Sequence, residues 1–225
     1  MQDLLSIVNI KINEKLFLKN PETSTLGKKI IQESILLIEE IGFDNFTFKK
    51  LGEKIASNES SIYRYFENKH KLLIYLSDWY WSWIEYRLVF STNNIINPLD
   101  KLLKAVDIIT EKIVDDAETV YVNEAILNKI IVLEFTKTFL TKEADAENKA
   151  GFFMVYKRVV NRIIKMIEAV NPDYKFSKSL ASSIVEGALH QHFLRDYHKT
   201  ITDSENTTPR AFYTDLVSKI LNPQK

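Results

Sequence analysis

Residues 47–73, TFKKLGEKIASNESSIYRYFENKHKLL, predict two short helices that are joined by a tight turn and followed directly by a longer helix. Thr47 is a good N-cap for the first helix. The apolar residues that follow recur at the spacing of one buried helical face: Phe48, Leu51 and Ile55. The turn falls at 56–58, where Asn58 is placed to cap the second helix.

The second short helix separates an apolar side from a polar one. Its inward residues, Ile62 and Phe66, lie four apart, which leaves another set facing outward: Ser60, Ser61, Tyr63 and Arg64. Hydroxyls, an aromatic ring and a guanidinium at the exposed start of a short helix suit a reader of the DNA major groove. An ordinary helical hairpin with a solvated face has the same spacing, so the spacing alone leaves both interpretations open.

Residues 28–73 resemble the DNA-binding domain of the TetR-type (tetracycline-repressor-like) bacterial transcription regulators. KKIIQESILLIEEIGF resembles the first helix of that family, which ends at Gly42, and Thr47 matches the threonine that opens the second helix. IYRYFENKHKLL resembles the run that leads into the fourth helix at Lys69. In two departures, Ala56-Ser57 replaces the usual Gly-Val of the turn, and Glu59 puts a negative charge at the start of the recognition helix. Alanine is less comfortable than glycine at a positive φ.

The resemblance implies an all-α fold, in which a three-helix DNA-binding head with a helix-turn-helix joins a larger helical bundle for dimerisation and ligand binding. It implies a homodimeric repressor that binds a pseudo-palindromic duplex operator and is released by an unknown small apolar effector. Thr47, Tyr63 and Lys69 are assigned to the DNA backbone. Ser60, Ser61 and Arg64 are the candidates for contacts with base edges, because hydroxyl and guanidinium groups match the donors and acceptors of the major groove. The candidate DNA-binding residues are Thr47, Lys49, Ser60, Ser61, Tyr63, Arg64 and Lys69.

Composition excludes several classes of protein. The 225 residues include no cysteine, which removes disulfides, thiolate metal sites and cysteine nucleophiles. The apolar runs fall short of a membrane span and the N-terminus lacks a signal-peptide pattern, so we expect a cytoplasmic protein without a membrane partner. No phosphate loop, carboxylate pair or nucleophile motif is present, so we expect neither an enzyme nor a cofactor.

The net charge is unusual for a DNA-binding protein. Lys and Arg number 30 against 30 Asp and Glu, and residues 25–75 hold eight cations against seven acids. We expect sequence-specific binding with modest nonspecific affinity. The neutral charge, Ala56 and Glu59 also support an alternative, a helical binding or adaptor protein that has lost DNA binding.

Periodicity predicts about nine helices and three regions: an N-terminal arm at 1–24, the helix-turn-helix domain at 25–70, and a helical ligand-binding and dimerisation domain at 71–225. The arm could be a short strand, an arm lying on the body, or a partly disordered leader. Lys11, Lys15 and Lys19 add the alternative of an arm that reaches DNA, against a packed or frayed terminus. Among the predicted helices are 26–41, 59–66, 68–91, 98–115, 145–170, 177–198 and 209–221, with a helical segment or broken pair at 122–140.

The predicted bundle offers weaker candidates. Its aromatic residues either line an effector pocket or pack as core, and the candidates are Trp83, Tyr86, Phe90, Phe153 and Tyr156. Gly187 and Ala188 give the 177–198 helix a stretch of small side chains, which lets another helix approach closely, either at a dimer interface or within one chain. His190 and His192 point nearly opposite ways on a helix, so we predict no metal site there.

Overall fold

A computed structural model describes residues 12–115, 121–139, 141–203 and 207–221. These ranges hold eleven α-helices, three short 3-10 turns and no strand. The helices are α1 Thr25–Asn45, α2 Phe48–Lys54, α3 Glu59–Tyr63, α4 Lys69–Thr92, α5 Pro98–Thr110, α6 Glu124–Leu133, α7 Phe135–Phe139, α8 Ala144–Lys149, α9 Met154–Val170, α10 Ser177–Tyr197 and α11 Pro209–Leu221. The all-α class and the helical head are confirmed. None of the helices in these ranges is both long enough and apolar enough to cross a membrane.

The chain divides into two compact units, and α4 and α9 each run from one into the other. Unit 1 comprises 1–82 and 113–154, and therefore holds α1–α3, the first half of α4, and α6–α8. Unit 2 comprises 83–112 and 155–225, and therefore holds the end of α4, α5, nearly all of α9, α10 and α11.

The head of unit 1 forms because both short helices have a side-chain cap and one buried face. Thr47 accepts the backbone N–H of Lys50 at 3.2 Å, and Asn58 accepts that of Ser61 at 2.8 Å. The predicted core residues of the motif are buried: Phe48, Leu51, Ile55, Ile62 and Phe66. The cap and core predictions are confirmed, although α3 ends at Tyr63 rather than at 66.

The fourth helix is buried more completely than its periodicity predicts. The apolar spacing of the 68–91 helix, from Leu72 to Phe90, predicts one continuous apolar stripe. Residues 72–81 are instead buried all the way around the helix, and Phe90 is 66% exposed. The first half of α4 therefore serves as a central core helix of unit 1. A one-sided stripe is the wrong description for it.

Two predicted helices are broken in the structure. The 122–140 segment is a pair, α6 and α7, as one of the two alternatives had it. The single helix predicted over 145–170 is wrong, because Gly151 adopts φ +86° and separates α8 from α9. These two breaks account for the difference between nine predicted helices and the eleven described ones. The 98–115 helix also ends early, at Thr110.

The N-terminal segment at 12–24 lies on unit 1. Ile12, Leu16 and Pro21 are buried, and the space a Cβ of Gly27 would need is filled by backbone atoms of Pro21, with the carbonyl oxygen at 2.2 Å. The buried hydroxyl of Tyr75 donates to a carboxylate oxygen of Glu22 at 2.9 Å, and burial raises the pKa of this phenol. Of the open alternatives, the packed segment holds for 12–24, while 1–11, with Lys11, lies outside the described residues.

Unit 2 is held together by the packing of α5, α10 and α11. Val185, Ala188 and Val217 are fully buried, and Arg210 of α11 forms a bidentate ion pair with Asp107 of α5 at 2.7 Å. The close contact at Gly187 lies within the chain, since a Cβ there would stand 2.0 Å from the hydroxyl of Tyr213. The structure thus shows the intramolecular alternative at Gly187.

Candidate nucleic-acid interface

The outer face of α3 carries three of the candidate DNA-contacting side chains, Ser60, Tyr63 and Arg64, all exposed. Arg64 caps the C-terminal end of the helix, and its guanidinium has no hydrogen-bond or ion-pair partner among the residues that the structure describes. The Tyr63 ring stands edge-on to Phe48, with 5.0 Å between the ring centroids. Phe48 of the core therefore holds the ring of Tyr63 in place, and the next residue, Arg64, is free to extend away from the protein.

Asn58 organises the other end of this face. Its side-chain oxygen accepts the hydroxyl protons of Ser60 and Ser61, at 2.8 and 2.6 Å, in addition to the capped N–H. Both hydroxyls are therefore held in place by donating, while their oxygens can still accept. The donors that match such acceptors in the major groove are the amino groups of adenine and cytosine.

The start of α2 supplies the groups suited to phosphate. Thr47 accepts a hydrogen bond in its capping role, so its own hydroxyl proton remains available to a phosphate oxygen. Lys49 is exposed, and no described residue pairs with it. The neighbouring Lys50 instead donates to the carbonyl of Asn45 at 2.9 Å. The start of α2 therefore presents an exposed hydroxyl on Thr47 and an exposed ammonium on Lys49.

Lys69 lies in a different environment from the other candidates. Its Nζ donates to the carbonyls of Phe43, Asp44 and Phe46 at 3.0, 3.1 and 3.1 Å. Three donors are the whole hydrogen-bonding capacity of an ammonium group. In this arrangement Lys69 fastens the beginning of α4 to the end of α1, and it can act on a phosphate through its charge.

The turn between α2 and α3 has the strained geometry that the sequence analysis anticipated. Ala56 has φ +55°, and no other non-glycine residue in the described ranges has a positive φ. Gly52 makes the turn possible, because a Cβ there would lie 2.8 Å from the backbone oxygen of Ser57 and 3.3 Å from the backbone nitrogen of Glu59. This close approach sets the position of α3 against α2.

Several residues that position the interface have no signal in the sequence. Lys29 donates to the carbonyl of Ile55 at 3.0 Å, at the end of α2. The backbone N–H of Leu18 donates to the carbonyl of Tyr65 at 2.7 Å, and the Tyr65 and Ser24 hydroxyls lie 2.8 Å apart. These contacts join positions 26 to 47 residues apart, so no local pattern announces them.

The structure does not gather the five ligand candidates around one described cavity. Phe153 belongs to unit 1 and packs on Phe139, with the ring centroids 5.1 Å apart. The other four, in unit 2, are Trp83, which lies under Arg87; Tyr86, which stacks with Phe90; and Tyr156, which donates to Glu186. The Nδ1 atom of His190 lies 2.9 Å from the carbonyl oxygen of Glu186, and the Nε2 atom of His192 lies 3.0 Å from that of Thr110. Within the described ranges no cluster of three or more His, Cys, Asp or Glu could hold a metal ion.

The family model for bacterial regulatory proteins of the tetR family matches residues 30–76. None of the curated proteins matches the chain in sequence.

Solved structures share the fold over most of the chain. AibR, in complex with isovaleryl coenzyme A and operator DNA, is 15% identical with a TM-score of 0.59, over 87% of this chain and 97% of that one. A bacterial regulatory protein of the tetR family from Rhodococcus RHA1 is 14% identical with a TM-score of 0.59, over 90% and 100%. The superantigen PfiT is 16% identical with a TM-score of 0.62, over 92% and 100%.

The tetR-family model thus covers the helix-turn-helix head, and the solved structures share the fold of this chain over most of its length.

Proposed function

We propose that this chain is a homodimeric repressor that binds a pseudo-palindromic duplex operator through α3 and is released by a small, largely apolar effector. In this proposal 1–24 is an arm, 25–70 is the DNA-binding domain, and 71–225 is the ligand-binding and dimerisation domain. The protein acts in the cytoplasm and catalyses no reaction. The AibR structure, with operator DNA and isovaleryl coenzyme A, supports the general scheme.

The observation that carries the proposal is the outer face of α3. This capped helix carries a ring fixed on the core, two oriented hydroxyls and an arginine that pairs with no residue of the described ranges. Arginine is the side chain best suited to bidentate contact with guanine in the major groove. We assign Ser60, Ser61 and Arg64 to bases, and Thr47, Lys49, Tyr63 and Lys69 to the backbone. Two heads of a dimer should meet major grooves about 34–36 Å apart or a little more.

Selection from random duplexes followed by fluorescence anisotropy tests this proposal. Arg64→Ala should reduce the discrimination between the selected site and a scrambled one by about 1–3 kcal/mol. Lys49→Ala should weaken both duplexes alike and lower the salt slope by about one unit. Lys104→Ala, an exposed cation on α5, is the matched control. A selection without any sequence preference would instead favour the helical adaptor that has lost DNA binding.

Lys69→Ala serves a separate purpose. Because the ammonium of Lys69 holds three carbonyls of the head, its removal should lower the stability of the fold as well as DNA affinity. Urea unfolding alongside DNA binding separates the two effects. Unchanged stability with a reduced salt slope would make Lys69 a phosphate contact alone.

Dimerisation is proposed through α10 and α11. Ala188 is fully buried within the chain and Gly187 lies against Tyr213. These two residues therefore pack α10 against α11 and are not themselves on the proposed dimer surface. Phe212, which is 48% exposed on α11, is the better probe of the surface itself. Phe212→Glu should give monomers in light scattering, whereas Ile96→Glu, on the exposed loop before α5, should not. A monomeric wild type at micromolar concentration contradicts the proposed dimer.

The effector is proposed to act on the four aromatic candidates of unit 2, which are Trp83, Tyr86, Phe90 and Tyr156, and Phe153 of unit 1 is a separate candidate contact. A ligand that shifts the dimer away from its DNA-binding arrangement needs about 3 kcal/mol of differential affinity, within the usual coupling range. A panel of hydrophobic compounds, scored for both tryptophan fluorescence and DNA release, tests this. A compound that releases DNA should also perturb the fluorescence, and substitution of Trp83 or Tyr86 should weaken both effects. Release that is insensitive to both substitutions would move the effector elsewhere.

A further inference from the structure

Unit 2 contains a half-open groove that the proposed function leaves unused. It has a volume of about 300 Å³ and is formed by the end of α4, the start of α5 and the second half of α9. Its lining residues are Leu88, Val89, Thr92, Asn93, Pro98, Lys101, Arg162, Lys165, Met166 and Ala169. None of the five aromatic ligand candidates is among them.

The groove combines an apolar base with a basic margin. The α9 residues recur at i, i+3, i+4 and i+7, which is one face of a helix. Leu88 and Thr92 of α4 are buried, and the Thr92 hydroxyl already donates to the carbonyl of Leu88 at 2.6 Å. The base of the groove therefore offers mainly carbon atoms. The basic margin is formed by Lys101 of α5 and Lys165 of α9.

The charge of this lining is one-sided. It includes three cations and no carboxylate. Lys101 and Lys165 have no hydrogen-bond or ion-pair partner among the described residues. Lys101 and Lys165 are cations without a carboxylate in the lining beside them, and an anion placed between them would be attracted to both.

Arg162 links the groove to a buried acid. Its Nε donates to Glu85 at 2.9 Å, while Arg158 makes a two-pronged contact with the same carboxylate, at 3.0 and 2.7 Å. Burial alone would raise the pKa of Glu85, but the hydrogen bonds and charges of the two arginines outweigh it and lower that pKa. Glu85 uses only one nitrogen of Arg162. The terminal nitrogens of Arg162 have no partner within the described part of the chain, so they can bind a second anion.

We propose that this groove binds an amphipathic anion, with a carboxylate or phosphate head held by Lys101, Arg162 and Lys165 and a short hydrocarbon tail on Leu88 and Met166. Apolar walls with a few convergent polar groups are the usual composition of small-molecule sites. The N-terminal amides of α5 contribute little to the head, because Asn97 already caps Leu99 and Asp100. The inference proposes a ligand site that is separate from the five aromatic candidates, and it rests on the proposed function for its regulatory meaning, but binding itself can be measured without DNA.

Isothermal titration calorimetry on the full chain tests the proposal with octanoate, octyl phosphate, octanol and octylamine. Octanoate or octyl phosphate should bind roughly tenfold more tightly than octanol, octylamine should not bind, and added salt should weaken the anions selectively. Comparison of the two anions separates a carboxylate site from a phosphate site. Butanoate should bind more weakly than octanoate, because it buries less apolar surface.

Matched variants locate the site. Lys101→Gln and Lys165→Gln should each weaken octanoate about two- to fivefold, the range expected of partly exposed charge pairs. Lys104→Gln, one turn further along α5 and outside the lining, should leave affinity unchanged. Met166→Gln should weaken octanoate while sparing butanoate. Thermal unfolding of each variant shows that the fold is kept.

Two results overturn the proposal: octanol that binds as tightly as both anions, or groove variants that behave like Lys104→Gln. Because DNA is absent from these titrations, their failure leaves the proposed regulator intact. Conversely, a chain without operator preference could still bind the anion.

Discussion

The ends of α2 and α8 close with the same pattern of hydrogen bonds but with different residues at the critical position. After α2, the N–H groups of Ala56 and Ser57 donate back to Glu53 and Gly52, at 3.3 and 2.8 Å. After α8, those of Gly151 and Phe152 donate back to Asn148 and Glu147, at 3.0 and 3.1 Å. Both patterns are Schellman motifs, in which the residue after the cap adopts a positive φ.

The difference lies in the strain. Gly151 takes φ +86° without steric cost, whereas Ala56 takes φ +55° with a side chain. The body of unit 1 thus uses the relaxed residue, and the DNA-binding head uses the strained one. Strain of this kind persists only where the surrounding structure enforces it, and it concentrates at functional sites. At Ala56 the enforcing structure is the close contact between Gly52 and the backbone of the turn.

Gly52→Ala should have the largest effect, because it adds a Cβ where Gly52 touches the backbone of the turn. The new Cβ would meet the Ser57 carbonyl oxygen at 2.8 Å, and backbone cannot move aside without shifting α3. We expect a loss of about 2 kcal/mol in the free energy of unfolding, which is the overpacking cost less part of the helix-propensity gain. Urea denaturation measures it, with the exposed Glu53→Ala as control. Stability equal to wild type would show that the turn is loose.

Gly151→Ala should cost less, about 1–2 kcal/mol, because it introduces the strain that Ala56 already carries. Its Cβ would lie 3.2 Å from the sulfur of Met154, which is the flexible part of a side chain and can move. Gly151→Asn is the matched control, since asparagine tolerates a positive φ better than alanine. Equal losses for the two variants would point to crowding instead of backbone strain.

These two turns also show what the sequence could predict. The turn at Ala56 was predictable because the caps and the apolar spacing act within about twenty residues, 47–66, and the family resemblance includes this stretch. The break at Gly151 was missed because helical periodicity continues on both sides of it, so the glycine looked like an interior residue. The exposure of Ser60, Tyr63 and Arg64 followed from the same local pattern, whereas Ser61, also predicted to face outward, is half-buried.

The contacts that the sequence does not predict join positions that are distant in sequence. The environment of Lys69 depends on carbonyls 23–26 residues earlier, and that of Gly187 on a tyrosine 26 residues later. The groove with Lys101, Arg162 and Lys165 joins three helices. Periodicity assigns a residue to a face of its helix but does not say which neighbour covers that face. Such sites therefore became visible only in the folded chain.

Ala56→Gly should have the smallest effect and the opposite sign. Glycine removes a left-handed strain of about 1–2 kcal/mol, but it also gives the unfolded chain more conformational freedom, which offsets roughly 0.5–1 kcal/mol. The net gain should be about 0.5 kcal/mol, read as a small increase in the urea midpoint without a change in slope. Combined with Gly52→Ala, the same substitution should recover little, because the steric contact and the strain act at different atoms. A stabilised variant with unchanged operator affinity would show that the strain at Ala56 has no functional role. A stabilised variant with weaker operator affinity would show that this strained turn helps to set the position of α3 for DNA.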